Sequence, residues 1–123
     1  MTSGTDTVKG LAFGRIAIGL VSVLFPRLAA RLFLLNLRLN PQLAYMTRLF
    51  GAREIALGAI TLAASEEAQT QLTGIGIAVD GTDAIASIAA ARSGLISKPA
   101  GVMVTIAALG AVGAGAAALA GRR

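Results

Sequence analysis

Residues 100–120, AGVMVTIAALGAVGAGAAALA, run for 21 positions without one charge and close on Gly121-Arg122-Arg123. A helix needs about 20 such residues to cross the hydrocarbon core of a bilayer. Pro99 stands just before the run, where a first-turn proline removes no helical hydrogen bond. Toward the N-terminus, residues 68–91 form a second run, ended by Arg92-Ser93-Gly94. Residues 41–64 form a third, between Pro41 and Ser65-Glu66-Glu67, and residues 10–26 a shorter fourth, interrupted by Arg15. The chain reads as all-α, a four-transmembrane-helix bundle forming one integral membrane domain over residues 1–123.

Composition supports that setting. Hydrophobic residues make up 55% of the chain and charged residues 14%, against roughly 25% charged in an ordinary soluble domain. The mean hydropathy of +0.75 is too apolar for a small soluble fold, which must cover itself with polar surface. With no Cys, His or Trp, disulfides, thiolate nucleophiles, zinc fingers, imidazole bases and histidine-ligated haem are excluded. No cofactor or metal site is legible, and chemistry resting on Ser, Tyr or carboxylates alone argues against an enzyme. The net charge of +5 would suggest nucleic acid in a soluble chain. Here the arginines are scattered through apolar runs, and Phe13, Phe25, Phe33, Tyr45 and Phe50 form no stacking platform. Nucleic acid is therefore not an expected partner, and the lipid bilayer is.

Between the first two spans, Arg27, Arg31 and Arg38 fall within about 40° of one another on a helix. Leu28, Leu32, Phe33, Leu35, Leu37 and Leu39 cover much of the remaining surface. A short interfacial amphipathic helix over residues 27–39, with its arginines on lipid headgroups, is expected; a loop helix packed on the bundle ends is the alternative. Pro26 and Arg27 interrupt the place where a signal-peptide cleavage site would lie, so the first span is read as retained. Four spans put Lys9, Arg122 and Arg123 on one side and Arg27, Arg31, Arg38, Arg92 and Lys98 on the other. The excess places both termini outside a bacterial plasma (inner) membrane, crossed several times.

Six ionisable residues lie within the spans: Arg15, Arg48, Arg53, Glu54, Asp80 and Asp83. Each costs roughly 2.5–3.5 kcal/mol at a helix centre on insertion scales. The second span therefore carries a penalty of about 8 kcal/mol, while its large apolar residues return about 3. It needs partners. If the second and third spans form an antiparallel hairpin turning at Glu66-Glu67, Arg53 lies level with Asp80 and Arg48 near Asp83. Depth counted from Pro26 and Pro41 puts Arg15 beside Glu54.

Small and polar residues share the charges' faces. The spans read Ala12, Arg15, Gly19, Ser22, then Thr47, Gly51, Glu54, Gly58, Thr61, then Thr73, Gly76, Asp80, Asp83, Ser87, all at spacings of 3 and 4. Such stripes form the seam of a left-handed bundle and let helices approach closely. The fourth span supplies Ala107, Gly110, Ala114, Ala117 and Gly121, a face for packing or for another subunit.

The run Arg48-Leu49-Phe50-Gly51-Ala52-Arg53-Glu54, with Leu57-Gly58 and Asp80-Gly81-Thr82-Asp83, resembles a family of uncharacterised small bacterial membrane proteins. They are grouped as a domain of unknown function and are distantly DoxX-like in layout. The resemblance implies four membrane helices and carries no activity.

Two functional classes follow. In the first, the buried Arg/Glu/Asp cluster binds or transports a small ion, proton or ligand, with Asp80 titrating, Arg53 as counter-charge, Glu54 and Arg15 as second pair, and Arg48 and Asp83 at the cytoplasmic mouth. In the second, the protein is a structural or accessory subunit of a larger membrane complex or a homo-oligomer, its charges acting as salt-bridge staples.

Overall fold

The computed structural model describes residues 4–122. Within them the regular elements are five helices: α1 (Gly4–Leu24), α2 (Pro26–Leu32), α3 (Leu43–Ala63), α4 (Glu66–Arg92) and α5 (Lys98–Ala120). Local chemistry sets several boundaries. Ser65 caps α4 by accepting from the Ala68 amide, and Glu66 and Glu67 occupy the first turn, where the helix dipole favours anions. Ser97 caps α5 in the same way on Ala100, with Pro99 in the first turn. α1 begins six residues before the expected span. Gly4 and Val8 extend the buried stripe Ala12, Arg15, Gly19, Ser22 by two further turns, so the packing face continues past Gly10.

The expected amphipathic helix over 27–39 is corrected. α2 stops at Leu32 because Leu34 adopts a left-handed conformation, φ 63°. The Leu35 amide donates to Ala30 O and that of Leu34 to Arg31 O, closing the helix in a Schellman-type turn. Asn36 Oδ1 then accepts from the amides of Arg38 and Leu39, holding a separate turn. Arg27 and Arg31 share one face of α2, while Arg38 leaves from that later turn; all three are exposed.

Polarity is inverted relative to a water-soluble bundle. The buried polar side chains are Arg15, Ser22, Thr47, Glu54, Thr61, Gln69, Thr73, Asp80 and Ser87, and the buried hydrophobic ones are alanines and Val8. Phe13, Leu24, Ile60, Ile85, Ile106 and Leu109 face outward. A surface of this kind is stable against hydrocarbon. Many interior hydroxyls are satisfied within their own helices: Ser22, Thr47, Thr61, Thr73 and Ser87 each donate to the carbonyl four residues back. They fill the seam without needing a partner helix.

α1, α4 and α5 are long and apolar enough to cross a membrane. α3 has the same 21 residues as α1, but Arg48, Arg53 and Glu54 lower its apolar character. The tightest pairs are α1 with α3 and α4 with α5; α3 and α4, consecutive in sequence, touch sparsely. The expected close hairpin of the second and third spans is therefore replaced by an α1–α3 pair. Glycine makes that pair possible. A Cβ on Gly51 would lie 2.7 Å from Gly19 O, one on Gly19 2.7 Å from Gly51 O, and one on Gly58 2.6 Å from Ala12 O. The two backbones touch, antiparallel, with Gly19 opposite Gly51 and Ala12 opposite Gly58.

On α5 the small-residue face is not the one that packs within the bundle. Ala107, Gly110, Ala117 and Gly121 are exposed and Ala114 is half-buried. The buried residues are Ala100, Gly101, Gly115 and Ala118. Ala and Gly occupy almost every side of this helix, so the buried side is chosen by the shape of α4 and α1.

Candidate functional site

The α1–α3 register brings Arg15 level with Glu54, as depth counting predicts. Arg15 Nη1 donates to Glu54 Oε2 at 2.6 Å. The same guanidinium forks onto Asp80 of α4, with Nη1 to Oδ1 at 3.1 Å and Nη2 to Oδ2 at 2.5 Å. One arginine thus ties three helices together through charge-assisted bonds, the strong kind in a water-poor interior. The side chains are 10%, 4% and 4% exposed. Gly76, one turn before Asp80, makes the slot: a Cβ there would meet Arg15 Nη2 at 2.8 Å.

Arg53 does not pair with Asp80. It forks onto Asp83, one turn further along α4, at 3.2 and 2.5 Å. Its guanidinium stacks 5.2 Å from the Phe50 ring centroid, a cation–π contact. Arg53 Nη2 also approaches Glu54 Oε1 at 3.5 Å, which links the two ion pairs. This second pair is half-exposed, in a groove between α3 and α4.

Arg48 leaves the cluster. It is exposed, and its Nε donates to Val23 O at 3.1 Å. Pro26 lacks an amide and the chain turns into α2, so the last carbonyls of α1 need outside donors; Arg48 supplies one. The set brought together is Arg15, Arg53, Glu54, Asp80 and Asp83. It holds two guanidinium groups against three carboxylates, one negative charge in excess when all are ionised.

A cavity of about 310 Å³ opens on this cluster at mid-helix. Its charged lining is Arg15, Glu54, Asp80 and Asp83, and its apolar lining includes Leu11 and Ile18 of α1, Phe33, Phe50 of α3 and Val104 and Ala108 of α5. Gly10 and Gly14 of α1 border it, exposed and with open space where a side chain would be. α1 and α5 meet near Gly4, where a Cβ would lie 2.7 Å from Ala118 O, and the cavity fills the space between them farther along. The volume falls at the low end of small-molecule pockets.

One oxygen from each of Glu54, Asp80 and Asp83 lies within 4.8 Å of the others, a spacing that suits a metal ion. The sequence shows no metal site because the residues come from two helices. Arg15 and Arg53 already occupy this triad with their guanidinium groups, so a metal would have to displace them.

Sequence reading also misses a polar network at the opposite end. Arg122 donates to Glu66 O at 2.6 Å, Thr70 Oγ1 at 2.7 Å and Gln69 Oε1 at 2.7 Å. Gln69 Nε2 donates to Thr61 O at 2.9 Å. Gln69 lies one step before Thr73 on the α4 stripe, and extending that stripe by four residues would have found it. Comparison of the chain with family models, curated proteins and solved structures finds no match.

Proposed function

We propose that the protein is a four-span integral membrane protein whose buried Arg/Glu/Asp cluster binds, and in a transporter would pass on, a small ion, proton or ligand. The observation that carries this reading is the mid-helix cavity that reaches Arg15, Glu54, Asp80 and Asp83. Ionisable groups at that depth usually mark function, and a cavity gives them something to act on. α3 is the fourth span in this reading: at about 1.5 Å per residue it matches a core of about 30 Å. Glu54 is turned inward, Arg53 is paired and Arg48 lies on the carbonyl end of α1. The layout is the one implied by the resemblance to small four-helix membrane proteins.

The membrane is taken to be the bacterial plasma membrane, with both termini extracytoplasmic and Arg27, Arg31 and Arg38 on cytoplasmic headgroups. Because the chain has no native cysteine, single cysteines report topology directly. Ser65→Cys should label from the outside of intact cells and Ser93→Cys only after permeabilisation. For the site, unfolding of wild type and Asp80→Asn is followed against pH, Na⁺, K⁺ and an organic ammonium. A ligand at about 100 times its dissociation constant stabilises by about 2.7 kcal/mol, so at least one of these should stabilise wild type and leave Asp80→Asn unmoved. Equal response of both proteins to all four would overturn the reading.

A second reading is favoured by the pairing itself, since every carboxylate of the cluster faces a guanidinium. The charges would then be staples in an accessory subunit, and the outward Ala107, Gly110, Ala117 face of α5 would seat a second copy or another protein. Here reversing Arg53 and Asp83 together should restore the stability lost in either single reversal, with no ligand effect.

A further inference from the structure

We infer that the cavity between α1 and α5 takes a small lipophilic monocation, an arylalkyl ammonium in chemical class, that enters sideways from the lipid. The inference rests on the binding-site reading above and names its ligand.

Three observations converge. The first is charge: with Arg48 outside, Arg15 and Arg53 leave one of Glu54, Asp80 and Asp83 uncompensated. A single positive charge completes the cluster, whereas an anion would add a second excess charge and a divalent cation would overshoot. The second is an incomplete acceptor. Glu54 is 3% exposed, yet its Oε1 has only the 3.5 Å approach of Arg53 and no hydrogen bond among the described residues. A carboxylate that lines the cavity, with one oxygen held only by an ion-pair contact, favours a donor such as an ammonium N–H over a quaternary ammonium.

The third is the wall. Apart from its charged residues, the cavity is lined by Leu11, Ile18, Phe33, Phe50 and Val104 with small residues between them. A bare Na⁺ or ammonium ion would leave that apolar volume empty. At roughly 30 Å³ per water-sized group, the volume admits on the order of ten non-hydrogen atoms, the size of one ring on a short chain. Exposed Gly10 and Gly14 border the cavity at mid-helix, where a bilayer-dissolved molecule can enter.

The test uses the full chain in phosphatidylcholine nanodiscs and equilibrium dialysis with labelled 2-phenylethylammonium, after subtraction of empty discs. Wild type should bind saturably at one site per chain, at least about tenfold more tightly than 2-phenylethanol, a difference of about 1.4 kcal/mol. Glu54→Gln removes the excess charge and should weaken binding about tenfold or more. Ala108→Phe fills the cavity without touching a charge and should do the same; circular dichroism and gel filtration establish that each variant is folded. Should Glu54→Gln not fold, Asp83→Asn, at the half-exposed pair, makes the same charge change. No saturable binding to folded wild type, equal affinity for the alcohol, or binding unchanged by both kinds of variant overturns the inference. If the ammonium fails while protons, Na⁺ or K⁺ still stabilise wild type through Asp80, the ligand class is wrong and the site reading stands. If both fail, both fall.

Discussion

Replacing Arg15 with Met is the sharpest perturbation of the bundle. The substitution keeps an unbranched side chain of helical propensity close to arginine's and removes three charge-assisted bonds at 2.5–3.1 Å. Glu54 and Asp80, each with a side chain 4% exposed, are left facing each other without the cation between them. Two magnitudes compete. Side-chain hydrogen bonds between membrane helices average about 0.6 kcal/mol, which for three bonds gives about 2 kcal/mol. Removing one partner of a buried ion pair costs about 3–5 kcal/mol, because the remaining charge is uncompensated. The second regime should apply here, since two carboxylates are stranded rather than one neutral donor lost. Reversible unfolding in mixed micelles should therefore show Arg15→Met destabilised by about 3–5 kcal/mol. The triple variant Arg15→Met, Glu54→Gln, Asp80→Asn, which removes the stranded charges, should recover most of that loss. A single-variant loss under about 1 kcal/mol, or a triple variant no more stable than the single, would refute the view that Arg15 joins α1, α3 and α4 by charge.

Three further outcomes follow from the packing. Gly51→Ala places a Cβ 2.7 Å from Gly19 O and 2.8 Å from Ser22 Cβ; the α1–α3 pair must part, and unfolding free energy should fall by about 1–3 kcal/mol, whereas Gly74→Ala, which meets open space, should not lose stability. Leu34→Gly relieves the left-handed strain of roughly 1–2 kcal/mol but returns about half of it as chain entropy; a net gain of up to about 1 kcal/mol in the same unfolding assay is expected, and a loss would mean that the Leu34 side chain carries weight of its own. Arg122→Ala breaks three bonds to α4 at a half-buried end. With solvent screening this should cost about 1 kcal/mol and raise amide exchange selectively in the first turn of α4, while unchanged exchange there would show the network to be passive.

How much was legible in the sequence depends on contrast. On α1 and α3 the small and polar residues stand out against Leu, Ile and Phe, and the stripes through Arg15 and Glu54 are the ones the structure buries. On α5, Ala and Gly surround the helix, so no period distinguishes one face, and the buried side runs through Gly115 while Gly110 is exposed. The end of α2 depends on Leu34 turning left-handed, a conformation leucine does not signal. The partner of Asp83 depends on which helices pack: an α3–α4 hairpin sets Arg53 level with Asp80, but glycine contact draws α3 onto α1, and Arg53 meets α4 one turn later, at Asp83. Depth alone groups Arg48 with the cluster. The residue follows Thr47 of the stripe directly, about 100° round the helix, and that angle already places it off the seam.

Moving Arg48 out changes the electrostatics of the whole molecule. The cluster keeps two of the chain's 11 cations and three of its six anions. Outside it, nine cations stand against Asp6, Glu66 and Glu67. Most of those within the described residues, Arg27, Arg31, Arg38, Arg48, Arg92, Lys98 and Arg122, lie near the helix ends. A positive rim therefore surrounds a centre with a negative excess. A cation coming along the bundle axis from water would cross that rim, where charges act over about 10 Å at ordinary ionic strength. One already dissolved among lipids meets an apolar lining, Leu11, Ile18 and Val104 among it, before it reaches the carboxylates. The same basic balance that first suggested surface anchoring thus favours the lateral entrance over the axial one.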